Sequence, residues 1–214
     1  MSVYHKIPTV YKRDPDTNYK TLIEGEYATD ELAYLAQNEW VFTEKVDGTN
    51  VRVMYERSEV CVRDSLTFGG KTDKAQMPVP LTEHLTQTFT CDTLRTVFEG
   101  EYVSACLYGE GYGGRIQKAG PKYGDVSFIL FDVRVGRWWL QREDVEAIAT
   151  ELGIPVVPIV GTGTLPEMVE VVRDGMPSML GDLESEGLIA RPVVELSARN
   201  GQRVITKLKT RDFR

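Results

Sequence analysis

Between Trp40 and Tyr55, two runs rich in β-branched and aromatic residues flank the stretch Lys45-Val46-Asp47-Gly48-Thr49-Asn50. The runs are Trp40-Val41-Phe42-Thr43-Glu44 and Val51-Arg52-Val53-Met54-Tyr55. Both read as strands, and Asp-Gly between them is a strong hairpin signal. The stretch therefore predicts antiparallel pairing around a charged tip. A further run reinforces the sheet: Val126, Phe128, Leu130 and Asp132 alternate with Ser127, Ile129, Phe131 and Val133. Both of its faces are mostly apolar, so this strand is expected in the middle of a sheet.

Helical signals are fewer. Thr29 to Asn38 predicts a short helix with Thr29 or Asp30 as its cap and Leu32, Leu35 and Ala36 on one side. Leu81 to Phe98 reads as helix. Gln141 to Leu152 is the clearest helix, with Val145, Ile148, Ala149 and Leu152 at helical spacing and Gly153 as its stop. Thr164-Leu165-Pro166-Glu167 fits a capping box that opens a helix to about Asp174. Val60–Arg63, Tyr102–Tyr108, Leu188–Val194 and Arg203–Lys209 read as strands, and Ser65–Pro80 and the glycine-rich Tyr108–Gly124 as loops. Strands outnumber helices and mostly neighbour one another along the chain. That pattern predicts one α+β domain over residues 1–214, with antiparallel sheets flanked by helices.

Composition narrows the chemistry. No apolar run approaches the roughly 18 residues of a membrane helix, and the start lacks a signal-peptide shape. A cytoplasmic protein without a membrane partner is expected. Cys61, Cys91 and Cys106 are odd in number and widely spaced, which suggests neither a disulfide framework nor a zinc site. With His5 and His84 as its histidines, the chain is poorly equipped for a histidine-built metal centre. The net charge of −7 argues against a general nucleic-acid coat. Charge is nonetheless unevenly distributed. Arg199, Arg203, Lys207, Lys209, Arg211 and Arg214 face one acid, Asp212, and the run Arg115 to Lys122 has none. Each run fits a solvated face or a local anion site.

Two glycine motifs fail on inspection. Gly109-Glu110-Gly111-Tyr112-Gly113-Gly114 fits the dinucleotide fingerprint, but that motif must open a helix, and Gly120-Pro121 follows too closely. Gly70-Lys71-Thr72 matches the end of a P-loop, but Ser65 stands where the first glycine belongs.

Five stretches in order form a different constellation. They are Glu44-Lys45-Val46-Asp47-Gly48-Thr49-Asn50, Tyr108-Gly109-Glu110-Gly111, Phe128-Ile129-Leu130-Phe131-Asp132, Glu186-Gly187-Leu188-Ile189-Ala190-Arg191-Pro192 and Lys207-Leu208-Lys209. Together they resemble the motifs of the covalent lysine nucleotidyltransferases, which comprise polynucleotide ligases and capping enzymes. The wording Glu-Lys-x-Asp-Gly-Thr-Asn, and Tyr-Gly-Glu followed by Ile116-Gln117-Lys118, is most similar to the ATP-dependent RNA ligase branch. Lys6-Ile7-Pro8-Thr9-Val10 and Gly69-Gly70-Lys71-Thr72-Asp73 are similar to small phage-type members.

The resemblance implies an ATP-grasp-like nucleotidyltransferase fold, self-adenylylation on Lys45, and transfer of AMP to a 5′-phosphate RNA end that is then sealed to a 3′-hydroxyl. Its cofactors would be ATP and Mg²⁺ or Mn²⁺. Lys207 and Lys209 would be catalytic. Asp47 and Glu186 would hold the metal through water, as oxygen ligands suit Mg²⁺. Glu110 would bind the ribose hydroxyls, Phe131 would stack on adenine, and Glu44 would lie near the adenine edge. Asp132 would orient cations, Asn50 would hold a phosphate or the incoming end, and Lys71 or Arg63 would add a phosphate or ribose contact. Gln117 and Lys118 fit either a substrate contact or a solvated loop.

The residues permit an independent argument. A lysine must be neutral to attack, yet a free lysine is almost fully protonated near pH 7. Lys207 and Lys209 share one face of their strand. If that face looks at Lys45, two ammonium groups would favour loss of its proton and grip a phosphate. By type alone the pair also fits an exposed basic edge strand, Phe131 fits plain core, and Asp47 and Glu186 fit solvated loop acids. Thr210 to Arg214 are the residues after the last lysine motif, so no appended C-terminal domain is expected, and a partner protein is open as its substitute. A DNA ligase, a GTP-using capping-type enzyme and a non-catalytic nucleotide-binding module remain alternatives.

Overall fold

A computed structural model describes residues 3–57, 64–100 and 103–214. Arg63, Cys61, the strand expected over Val60–Arg63 and the Tyr102 start of the next strand lie outside the described residues. In chain order the elements are β1 (Tyr11–Arg13), β2 (Leu22–Tyr27), α1 (Asp30–Leu35), β3 (Trp40–Glu44), β4 (Thr49–Arg57), β5 (Ser65–Gly69), α2 (Val79–Thr88), α3 (Cys91–Val97) and β6 (Val103–Tyr112). Then follow α4 (Gly120–Tyr123), β7 (Ser127–Val135), β8 (Trp138–Trp139), α5 (Arg142–Leu152), β9 (Ile159–Gly163), α6 (Leu165–Asp174), β10 (Gly187–Pro192) and β11 (Thr206–Lys209). The paired strands are antiparallel, and the α+β expectation holds. No helix among the described residues is long and apolar enough to cross a membrane.

The hairpin expectation fails. β3 and β4 are both strands, but they lie in different sheets, ordered β11-β10-β3-β9 and β5-β4-β6-β7-β8. Each is already paired on both edges, so neither has an edge open to the other. Gly48 does not have the positive φ that a two-residue hairpin turn would ask of it. It is needed for space instead, because a Cβ there would run into the Gly111 carbonyl oxygen and the Glu110 side chain.

The chain forms two compact units, one of Met1–Tyr4 with Asp47–Val157 and one of His5–Val46 with Pro158–Arg214. In the first unit, one face of the five-stranded sheet presents Val51, Val53, Tyr55, Leu107, Phe128 and Leu130 to a core that includes Leu81, Leu85, Leu94, Val145 and Ala149 from α2, α3 and α5. In the second, Trp40, Phe42, Leu188, Ala190 and Leu208 meet Leu32 of α1 and Leu165, Met168, Val169 and Val172 of α6. Burying such side chains gains about 1.5–3 kcal/mol each relative to leaving them exposed, which is what holds a sheet face against its helices.

Several local expectations shift. Leu81–Phe98 is two helices, because Thr90 caps α3: its side chain accepts from Thr93 N while the Thr93 side chain bonds back to the Thr90 backbone. Ser65–Gly69, expected as loop, is strand β5 along β4. Gly109–Tyr112 extend β6 rather than loop out, because Gly109 and Gly111 leave the space filled by Phe128 and Leu81. Gly120-Pro121 opens a single helical turn, where proline's missing N–H costs nothing. β7 lies inside the five-stranded sheet, paired with β6 on one edge and β8 on the other. The capping box at Thr164 and the left-handed stop at Gly153 are both present.

The alternation expected along β7 breaks at Phe131. Tyr108 pairs with Asp132 but Gly109 with Leu130, which leaves Phe131 as the extra residue of a β-bulge. From there the pattern moves by one position. Val133 joins the core, and Asp132 shares the opposite face with Phe131.

Candidate active site

Three neighbouring strands of the four-stranded sheet bring Lys45, Glu186 and Lys209 to one end. Lys45 follows β3, Glu186 precedes β10 and Lys209 ends β11. The registers Leu188↔Glu44 and Gly187↔Lys209 put these ends level. The Lys45 N–H donates to the Gly187 carbonyl at 2.9 Å, and Thr210 N donates to Glu186 O at 3.0 Å. The Glu186 carboxylate bridges both lysines: Oε2 takes Lys45 Nζ, and Oε1 takes Lys209 Nζ at 2.6 Å. The three side chains are 19%, 17% and 16% exposed, sheltered enough to strengthen the pairing and open enough for a ligand to reach. Burial alone would raise the Glu186 carboxyl, but the Lys45 charge and the hydrogen bonds from Lys209 and Lys45 outweigh it. The group is held below the usual carboxylate range.

Lys207 shares the Lys209 face, while Leu208 between them is buried in the core. β11 is not an exposed edge. Lys207 N donates to Pro8 O at 3.0 Å and Val10 N donates to Lys207 O at 3.1 Å, so the N-terminal segment covers it. Glu44 is buried on the other face of β3. Its oxygens accept from Ser178 Oγ at 2.5 Å and Met179 N at 2.8 Å, which anchors that loop.

The first unit supplies the other candidates on the sheet face opposite its core. Asn50 of β4 lies directly across from Glu110 of β6. The Asn50 Oδ1 is buried and has no hydrogen-bond partner among the described residues, an acceptor that a ligand donor would satisfy. Arg52, two residues on, is fully buried; its Nε donates to Gly70 O at 2.9 Å and its guanidinium to Asp73 at 2.7 Å, pinning the loop after β5. Lys71 projects from that loop, exposed. Phe131 is half-buried and lies outside the first unit's apolar cluster. Tyr4 packs edge-on to it with ring centroids 5.1 Å apart and donates to Asp132 Oδ2 at 2.8 Å.

Asp47 begins this unit. Its backbone N–H donates to Tyr123 Oη at 3.2 Å, and Gln117 Nε2 donates to the neighbouring Gly48 O at 3.1 Å. Gln117 therefore braces the turn that follows the lysine. Tyr4, Tyr123, Ser178 and the Phe131 bulge escaped the sequence reading, because each acts through a partner distant along the chain.

Among the described residues no group of three or more His, Cys, Asp or Glu side chains gathers as a metal cage. Glu186, beside the two lysines, and Asp47, in the first unit, are each a carboxylate of the type that a hard divalent ion takes as an oxygen ligand.

A family model described as RNA ligase matches residues 38–209. A Naegleria gruberi RNA ligase variant solved with ATP and Mn aligns with a TM-score of 0.66 at 14% identity, covering 98% of this chain and 56% of that one. An apo variant of the same ligase gives 0.63 at 15% identity, covering 99% and 60%. A variant with AMP and Mn gives 0.61 at 15% identity, covering 97% and 59%. The chain thus spans 56% to 60% of the length of these ligases, and at such identity the likeness is one of fold.

Proposed function

This chain belongs to the RNA ligase family, and from that premise we propose that it is an ATP-dependent RNA ligase that adenylylates itself on Lys45. The observation that supports this reading best is the convergence of Lys45, Glu186 and Lys209 from three strands. A lysine at this position, next to a second lysine and a carboxylate, has what phosphoryl chemistry requires: a nucleophile, a cation for the developing charge and an oxygen ligand.

In the proposed sequence the Lys45 amine, having lost its proton, attacks the α-phosphorus of ATP. A phosphoramide bond forms and pyrophosphate leaves. The 5′-phosphate of an RNA end then displaces the lysine and takes the AMP. A 3′-hydroxyl displaces AMP in turn and closes the phosphodiester. Lys45 must first part from Glu186, so ATP binding and release of that ion pair are coupled. Lys209, and Lys207 on the same face, would stabilise charge on the phosphate oxygens. Glu186 and Asp47 would each offer a carboxylate to a divalent metal, and Mg²⁺ or Mn²⁺, when bound, would neutralise phosphate charge. Phe131 would stack on the adenine, Glu110 would take the ribose hydroxyls, and the unsatisfied Asn50 carbonyl would meet a donor of the nucleotide or the incoming end. Lys71 would add a phosphate or ribose contact from its loop.

The test is incubation with α-labelled ATP or GTP and a divalent metal, followed by a denaturing gel. Label from ATP should stay on the protein and vanish in Lys45→Ala, whose melting temperature should match the parent's. Full labelling of that variant, or labelling by GTP in preference to ATP, would overturn the reading.

A further inference from the structure

We infer that a groove in the second unit binds a single-stranded RNA segment, with its phosphates on a row of cations and one base on Tyr19; this rests on the ligase reading above. The groove has a volume of about 1010 Å³, at the top of the range for small-ligand pockets and larger than one nucleotide needs. Lys6, Lys12, Lys20, Lys207, Lys209 and Arg211 line it, and its lining acid, Asp212, is taken by Arg13 at 2.8 Å. In a chain of net charge −7 this is a concentrated cationic surface. Among the described residues Lys6, Lys20 and Arg211 have no carboxylate partner, whereas Arg214 and Arg203, from the same C-terminal basic run, are paired with Glu184 and Glu195.

The second observation is Tyr19. It lines the groove and is 62% exposed. It is held in the left-handed region at φ 60, after Asn18 at φ 57. A bulky aromatic residue in that conformation is strained and persists only where its surroundings enforce it. Here Tyr19 N donates to Asp14 O at 2.9 Å, and Arg13 Nη1 donates to the carbonyls of Tyr19 at 3.4 Å and Lys20 at 3.2 Å. The backbone is thus clamped while the ring is left to solvent between cations. An aromatic platform interleaved with lysines is how proteins bind single strands without reading sequence, since every base has a stackable face. Lys207 and Lys209 belong both to the groove and to the lysine cluster, so a strand lying here would have its end at the chemistry.

The test measures binding of a fluorescent, 5′-phosphorylated oligoadenylate of about 12 nucleotides by anisotropy across a salt series, with labelling of Lys45 by ATP measured in parallel. Tyr19→Leu should weaken RNA binding about tenfold, as loss of one stacked base would, and Tyr19→Trp should restore it. Changing Lys6, Lys20 and Arg211 together to Ala should lower the log–log salt slope by about 2, at about 0.7 per phosphate on a single strand. All variants should take label from ATP as the parent does. Failure of the parent to bind the RNA, or unchanged affinity in these variants, overturns the groove assignment while labelling upholds the ligase reading. Lost labelling with intact RNA binding overturns it differently, by giving the groove to the phosphate tail of ATP. Absence of labelling in the parent counts against the ligase reading alone.

Discussion

Glu186 shows how one carboxylate can set the resting state of a lysine cluster. Its oxygens are shared between Lys45 and Lys209, and its carboxyl titrates below the ordinary value of 4.5. A native value below the unfolded one means stabilisation that is fully present above the unfolded value and lost as pH falls through the native one. Glu186→Gln should therefore be less stable than the parent near neutral pH, and the urea midpoints of the two should converge as pH drops below about 4. A gap that stays constant from neutrality to pH 3 would contradict the pairing. Phe131 offers a second residue-scale test. It was open to a core or a stacking reading by type, and it lies outside the apolar cluster with Tyr4 at its edge. Phe131→Leu keeps apolar bulk and loses the π-face. Weaker ATP binding at a nearly unchanged melting temperature is expected, whereas a stability loss on the order of 1 kcal/mol with normal ATP binding would return the residue to the core.

Among the elements, β6 and β7 position Glu110, Phe131 and Asp132 of the first unit through two irregularities. The glycines of Tyr108-Gly109-Glu110-Gly111 let Phe128 and Leu81 pack against the strand while Glu110 points to the opposite face. The bulge at Phe131 puts Phe131 and Asp132 on that same face, as bulges re-aim side chains beside active sites. Gly109→Ala would set a Cβ against the Phe128 ring and the Ile129 carbonyl. It should cost about 1–3 kcal/mol in chemical denaturation, as overpacking does. Gly161→Ala in β9 has nothing within 4 Å of its added methyl and should change stability by about 0.5 kcal/mol or less. Equal costs at the two positions would refute the packing account of the glycine motif.

Over the whole molecule, cations gather locally against a net charge of −7. On the proposed reading, strand joining would need RNA whereas labelling of Lys45 would need only ATP and metal, so rising salt should suppress the two unequally. A footprint of about four phosphates gives a log–log slope near −3 for joining. Paired sodium chloride titrations of protein–AMP and of joined RNA, with a DNA strand of equal sequence alongside, measure this. Equal salt sensitivity of the two steps would argue against a purely local RNA site, and better joining of DNA would change the substrate class. Much of this protein was legible in its sequence alone. Local pattern determined the strands Trp40–Glu44 and Ser127–Val135 and helices α5 and α6 with their stop and capping box, because propensity and capping act within a few positions, while Lys45, Glu186, Lys207 and Lys209 became candidates through the order of five motifs along the chain. Tertiary structure decided what those signals could not reach. It sent β3 and β4 into different sheets despite Asp47-Gly48 between them, since each strand has both of its edges taken by strands other than the other. It broke the alternation at Phe131, placed Glu186 between two lysines, and joined Lys6, Tyr19 and Lys20 to Lys207 and Arg211 around one groove. Each of these depends on which distant backbone edge or charge is satisfied by which other, a choice made by the packing of the whole chain and absent from any local window of it.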